Sequence, residues 1–201
     1  MSEPRVALTF DAEHPSRLGN DRGAEGAILD ALAAVAARGT FFLQGRWVSA
    51  YPDIAGRIAR DGHLIGNHSH YHASFPLLSA EGRRFDLEEA ERRIKGATGV
   101  DPKPWFRFPF GDGSDDAELL EAVEASGYRN VGWTVDSEDW REDASSSGVR
   151  TAVVQGVRRE TNAAVVLFHT WSAATAAALP STLEDLLADG ASFVTAAELG
   201  P

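Results

Sequence analysis

The chain contains no cysteine. That removes disulfides, thiolate metal sites and cysteine nucleophiles at once. It has no positive excess either: 19 Lys and Arg stand against 30 Asp and Glu, a formal net charge of −11. With no basic cluster or arm, a nucleic-acid partner held through phosphates is not expected. No apolar run approaches the ~20 residues of a membrane span, so no membrane partner is expected. The N-terminus, MSEPRVALTFDAE, lacks a basic segment followed by an apolar one. No secretory leader is visible, which fits a cytoplasmic protein or a secreted one whose leader has been removed. Internal repeats, linkers and composition breaks are missing too. Residues 1–201 are therefore expected to form one domain, acting as a monomer.

What is present is ordinary for a globular protein, with 43% hydrophobic and 24% charged residues. The length suffices for a sizeable core. Acidic stretches at 86–91 and 115–124 read as solvated helix faces. Short apolar runs at 5–10, 39–43, 63–66, 105–109, 129–135, 164–169 and 191–195 have the length of strands. Helical spacing separates them: Ile28, Leu32 and Val35; Ile54 and Ile58; Leu87, Ala90 and Ile94; Leu119, Ala122 and Val123; residues 153–157; Leu183, Leu186 and Leu187. Gly39, Gly62, Gly127 and Gly190 stand where helices should end in a left-handed residue. Alternation of this kind predicts a parallel sheet covered by helices. A distorted α/β barrel of about seven parallel strands is expected, with an open doubly wound sheet as the runner-up.

The polar residues most out of place cluster at the C-terminal ends of these runs. Three of the six histidines fall within 68–72, and His68 and His72 are four apart. Two imidazoles at that spacing can converge on one metal ion, although a histidine-bearing surface loop has the same spacing. Asp11 and Glu13 follow the first run, and an extended backbone there turns both carboxylates the same way. Arg107 lies among aromatics near the fourth run, where pairing with Asp11 would hold that carboxylate oriented. Asp136 and Asp139 follow the fifth run and His169 ends the sixth. A carboxylate beside that histidine raises its pKa and suits it to general-acid work. Phe110, Trp140 and Trp171 can line a sugar groove or simply pack as core aromatics.

These segments, in this order, resemble the five motifs of the polysaccharide deacetylases, carbohydrate esterase family four. Thr9-Phe10-Asp11-Ala12 stands for Thr-Phe-Asp-Asp, and residues 68–72 for His-Ser/Thr-x-x-His. Arg107-Phe108-Pro109-Phe110 stands for Arg-x-Pro-aromatic, Asp136-Ser137-Glu138-Asp139-Trp140 for Asp-x-x-Asp-Trp, and Leu167-Phe168-His169 for Leu-x-His. The resemblance implies a distorted (β/α) barrel and a divalent metal, usually zinc and sometimes cobalt or nickel. It implies an acetylated oligo- or polysaccharide partner: N-acetyl groups of chitin, chitooligosaccharide or peptidoglycan, or O-acetyl groups of xylan. Asp11 would be the base activating the attacking water, and His68 and His72 metal ligands. His169 would be the acid, tuned by Asp139, with Arg107 orienting Asp11 and the Phe110 N–H stabilising the oxyanion.

One position departs. The family's second aspartate, its usual third ligand, is Ala12 here. The first expectation is a Glu13/His68/His72 triad with Asp11 as base. The second exchanges the carboxylates, and the third is a site with weak or no metal. The departure also leaves open a hydrolase of C–N bonds in small cyclic imides or amides, or a non-catalytic carbohydrate-binding relative.

Overall fold

The computed structural model describes residues 4–14, 23–161 and 163–200. The strands are β1 (Arg5–Ala12), β2 (Thr40–Leu43), β3 (Leu64–Asn67), β4 (Trp105–Phe106), β5 (Arg129–Asn130), β6 (Val135–Asp136), β7 (Ala163–His169) and β8 (Ser192–Val194). Around them lie α1 (Ala24–Ala34), α2 (Gly45–Ala50), α3 (Pro52–Arg60), α4 (Ala80–Thr98), α5 (Ala117–Ala125), α6 (Ser146–Arg159), α7 (Ala173–Ala188) and α8 (Ala196–Leu199). Seven strands run parallel in the order β5-β4-β3-β2-β1-β7-β6, and β8 pairs with the first residues of β1. The path is curled, and its two end strands, β5 and β6, are neighbours in sequence. The result is a distorted (β/α) barrel, not an open doubly wound sheet.

The sheet ends meet because the run expected at 129–135 is two strands. Val131 donates to Phe106 O on one side, and Thr134 donates to Val165 O on the other. Residues between them therefore cross from the β4 edge to the β7 edge. The run at 105–109 likewise keeps only two residues in the ladder.

Alternation along β1 separates core from site. Val6, Leu8, Phe10 and Ala12 are fully buried in the main core with α1, α3, α6 and α7. Phe10 stacks on Phe41 at 4.8 Å and on Phe168 at 5.2 Å, its register partners on β2 and β7. This phenylalanine row floors the next layer, where Asp11 is level with Phe42 and His169. A second core of Phe75, Leu87, Phe106, Phe108, Leu119, Val123 and Tyr128 supports the β3–β5 side.

Side-chain caps set several helix starts: Ser79 on Gly82 N, Asp116 on Glu118 N, Ser145 on Gly148 N and Ser172 on Thr175 N. Gly62, Gly127 and Gly190 take the expected left-handed conformation. Gly39 does not: Ala36 (φ 53°) turns the chain after α1. Gly39 is instead required by crowding, since a Cβ would lie 3.0 Å from the Phe10 ring. Asp86 is a second correction. It is buried, not solvated, and accepts a hydrogen bond from Tyr71 N at 2.9 Å.

Candidate active site

The C-terminal ends of β1, β3, β4, β6 and β7 surround a cavity of about 590 Å³. Asp11, Glu13, His68, His72, Phe110, Asp136, Trp140 and His169 line it, together with His14, Trp133 and Trp171. Arg107 lies buried beneath, bonded to Asp11, and Asp139 behind His169. The structure thus gathers every residue singled out above at one rim. His70 is not among the lining residues; its ring packs against Gly45.

The histidine loop is held by Asn67 at the end of β3. Its side chain donates to Leu87 O and Tyr128 Oη, each at 3.0 Å, and accepts from Ser69 N at 2.8 Å. Ser69 (φ 61°) and His72 (φ 58°) are left-handed, and Ser69 Oγ accepts from His72 N at 3.0 Å. These bonds turn both imidazoles inward. His68 Nδ1 donates to Arg107 O at 2.9 Å, which leaves the Nε2 lone pair for the cavity.

Three donors then converge. Glu13 Oε2 lies 3.3 Å from His68 Nε2 and contacts His72 Nε2, and the two Nε2 atoms are 3.2 Å apart. Glu13, His68 and His72 are all buried, and their ligand atoms lie within 4.8 Å of one another. Among the described residues, Glu13 Oε2 has no hydrogen-bond partner. A buried carboxylate oxygen and two imidazole lone pairs at one point fit a divalent cation, which would hold apart groups that otherwise crowd. Burial pushes the Glu13 carboxyl up, but the adjoining His14, His68 and His72 imidazoles hold it well below the usual carboxylate range. For His68, burial is outweighed by the Asp11 and Glu13 charges and its pKa is raised; for His72, burial wins and it is lowered.

Asp11 is differently engaged. Its Oδ1 accepts from Arg107 Nη1 at 2.9 Å, and its Oδ2 faces His68 Nε2 at 3.5 Å. Arg107 is fully buried over the Phe42 ring, its guanidinium 4.3 Å from the centroid. Its other donors reach Val131 O at 2.9 Å and Gly132 O at 3.0 Å. Burial lowers its pKa and the Asp11 charge opposes this; an arginine stays protonated regardless.

Opposite Asp11, His169 Nδ1 meets Asp139 Oδ1 at 2.6 Å. Asp139 Oδ2 accepts from His169 N at 2.8 Å and from the Thr175 hydroxyl. Burial alone would lower the His169 pKa; the Asp139 charge and hydrogen bond override it and raise the value to about 9. Its Nε2 faces the cavity, 3.9 Å from Glu13 Oε1. At the mouth, Trp140 is 47% exposed, with its indole N–H 3.3 Å from Asp136 Oδ1. Phe110 (φ 61°) is 66% exposed, its ring edge-on to His72 at 4.4 Å. His14, Trp133 and Thr175 were not anticipated. Only His14, beside Glu13, carried a hint of its role in its position.

At its C-terminal rim the curled parallel barrel thus carries a two-histidine, one-carboxylate cluster flanked by Asp11 and by the His169–Asp139 pair. The family model "Polysaccharide deacetylase" matches residues 1–131, and this chain belongs to that family. A peptidoglycan-N-acetylmuramic acid deacetylase of Bacillus subtilis is 29% identical, aligned over 95% of this chain and 69% of its own length. A peptidoglycan-N-acetylglucosamine deacetylase of Listeria monocytogenes is 31% identical, over 97% of this chain and 38% of its own. Among solved structures, a family 4 carbohydrate esterase from Streptomyces lividans superposes with TM-score 0.80 at 30% identity, covering 94% of this chain and 90% of that one. A CE4 pseudoenzyme from Bacillus anthracis gives 0.84 at 28% identity, covering 98% and 65%. A mutant of that pseudoenzyme has restored enzymatic activity.

Proposed function

We propose that this chain is a metal-dependent deacetylase that removes acetyl groups from a carbohydrate, with the N-acetyl groups of peptidoglycan-type or chitin-type sugars as first substrates and the O-acetyl groups of xylan as the ester alternative. The observation that carries this reading is the placing of Asp11 and His169 as register partners on adjacent strands, astride the Glu13/His68/His72 cluster. Mere sugar binding needs no such acid–base pair. The peptidoglycan deacetylases among the relatives support the substrate class.

Glu13, His68 and His72 would hold the ion. When bound, zinc, or cobalt or nickel, supplies Lewis acidity and lowers the pKa of water toward 7. Asp11, kept oriented by Arg107, takes the proton of the attacking water as it adds to the acetyl carbonyl. The Phe110 N–H stabilises the oxyanion. His169, protonated at neutral pH, then donates from Nε2 to the departing amine or alcohol. Trp140 and Phe110 flank the sugar at the mouth.

Ala12 and the likeness to a pseudoenzyme favour one second reading, a non-catalytic carbohydrate-binding relative. A product assay separates the two. Acetate release from peptidoglycan fragments, chitooligosaccharides and acetylated xylan is followed with and without chelator and added Zn²⁺, beside a cyclic imide. Chelator-sensitive acetate release is expected. Sugar binding without turnover at any metal would establish the second reading, and imide hydrolysis alone would overturn the deacetylase.

A further inference from the structure

A glutamate in place of an aspartate as metal ligand is longer by one methylene and freer by one torsion. It must be restrained before it can present one oxygen at a fixed point. Glu13 is restrained on one side only. Its Oε1 accepts from His14 Nε2 at 3.1 Å and from Trp171 Nε1 at 3.3 Å, while Oε2 faces His68 and His72 and, among the described residues, has no hydrogen-bond partner.

His14 is itself held in place. Its backbone is left-handed (φ 52°), a conformation that histidine adopts more readily than most residues but still at a cost. The His14 N–H donates to the Gln44 side-chain oxygen at 3.1 Å. Gln44 is buried, and its own N–H donates to Ala12 O at 2.9 Å. The His14 ring also lies edge-on to His72 at 4.7 Å. The turn after β1 is thus fastened so that the residue after Glu13 returns to clamp it.

We infer that His14 and Trp171 are positioning residues that fix Glu13 for one-oxygen coordination of the metal, and so make this glutamate serve where Ala12 provides no ligand. The inference rests on the proposed metal site. It explains how a chain lacking the usual aspartate can keep a tight three-ligand centre: hydrogen bonds to the non-ligating oxygen replace the shorter side chain's rigidity. Partners of this kind typically contribute 10–100-fold to metal affinity.

The test is zinc affinity of the whole purified chain, measured by competition with a chromophoric chelator, with apo-protein melting recorded alongside. His14 is about a third exposed, and the apo melting of each variant separates any loss of fold from a loss of zinc affinity. His14→Ala and Trp171→Phe should each weaken zinc binding by roughly 10–100-fold. His14→Gln, which returns an N–H donor, should recover part of that loss. If the wild-type chain binds zinc and both variants bind equally tightly, the positioning role is overturned and the metal site stands. Should the wild type bind no zinc at all, the site and the positioning role both fall.

Discussion

Replacing Asp139 by Asn should change how stability depends on pH, not only its size. In the folded chain the His169 pKa is raised to about 9, with Asp139 overcoming burial. The unfolded value is about 6.5, so the preference for imidazolium corresponds to about 3 kcal/mol. The folded pKa lies above the unfolded one. This stabilisation is therefore full below about pH 6.5 and disappears as pH rises through about 9. Metal-free wild type should lose it across that window. In Asp139→Asn the carboxylate charge is gone; the amide oxygen can still accept from His169 N and the Thr175 hydroxyl while its NH2 donates to a neutral Nδ1, so the imidazolium loses its partner. Stability should fall by up to about 3 kcal/mol below about pH 6.5, and the loss should shrink as pH rises through about 9. The slope between pH 6.5 and 9 should flatten. Urea unfolding of the two chelator-treated proteins at half-unit pH steps measures both effects. Parallel stability–pH curves would refute the account of His169, whatever their separation.

Four further outcomes follow from the same geometry. Asp11→Asn should lower kcat by two or more orders of magnitude and, by leaving Arg107 buried and uncompensated, cost about 3–5 kcal/mol in a denaturant titration. Glu13→Ala should abolish stoichiometric zinc in metal analysis, whereas Asp11→Asn should retain it. Trp140→Ala, at the half-exposed mouth, should raise KM for oligosaccharides while apo melting stays within error. Gly66→Ala should destabilise by about 1–3 kcal/mol in thermal melts, because its Cβ would lie 2.6 Å from the Phe42 ring.

Much of the fold was legible because buried parallel strands write themselves as short apolar runs with polar residues at one end. The carboxylate pair at the end of β1 was legible from strand alternation alone, and Ala12 indeed turns into the core between Asp11 and Glu13. What escaped depends on contacts made across the fold. The run at 129–135 is apolar enough for one strand, but Arg107 takes the carbonyls of Val131 and Gly132, and the strand breaks there. The turn at Ala36 went unseen because glycine was the better local candidate, while Gly39 serves close packing. Asp86 sits in an acidic helical stretch and is buried only because the histidine loop needs an acceptor for Tyr71 N. His14 acquires its place from Gln44, thirty residues away, a partner no local pattern announces.

Arg107 serves two masters. The guanidinium that orients Asp11 also bonds the two carbonyls where the curled sheet comes back to meet itself. A descendant that abandoned chemistry would still need that arginine to stay folded. Its retention in a silent copy is thus a record of architecture. Glu13 Oε2 is the opposite case: among the described residues it accepts no hydrogen bond. Where a copy has fallen silent, drift should reach that carboxylate early and the arginine last.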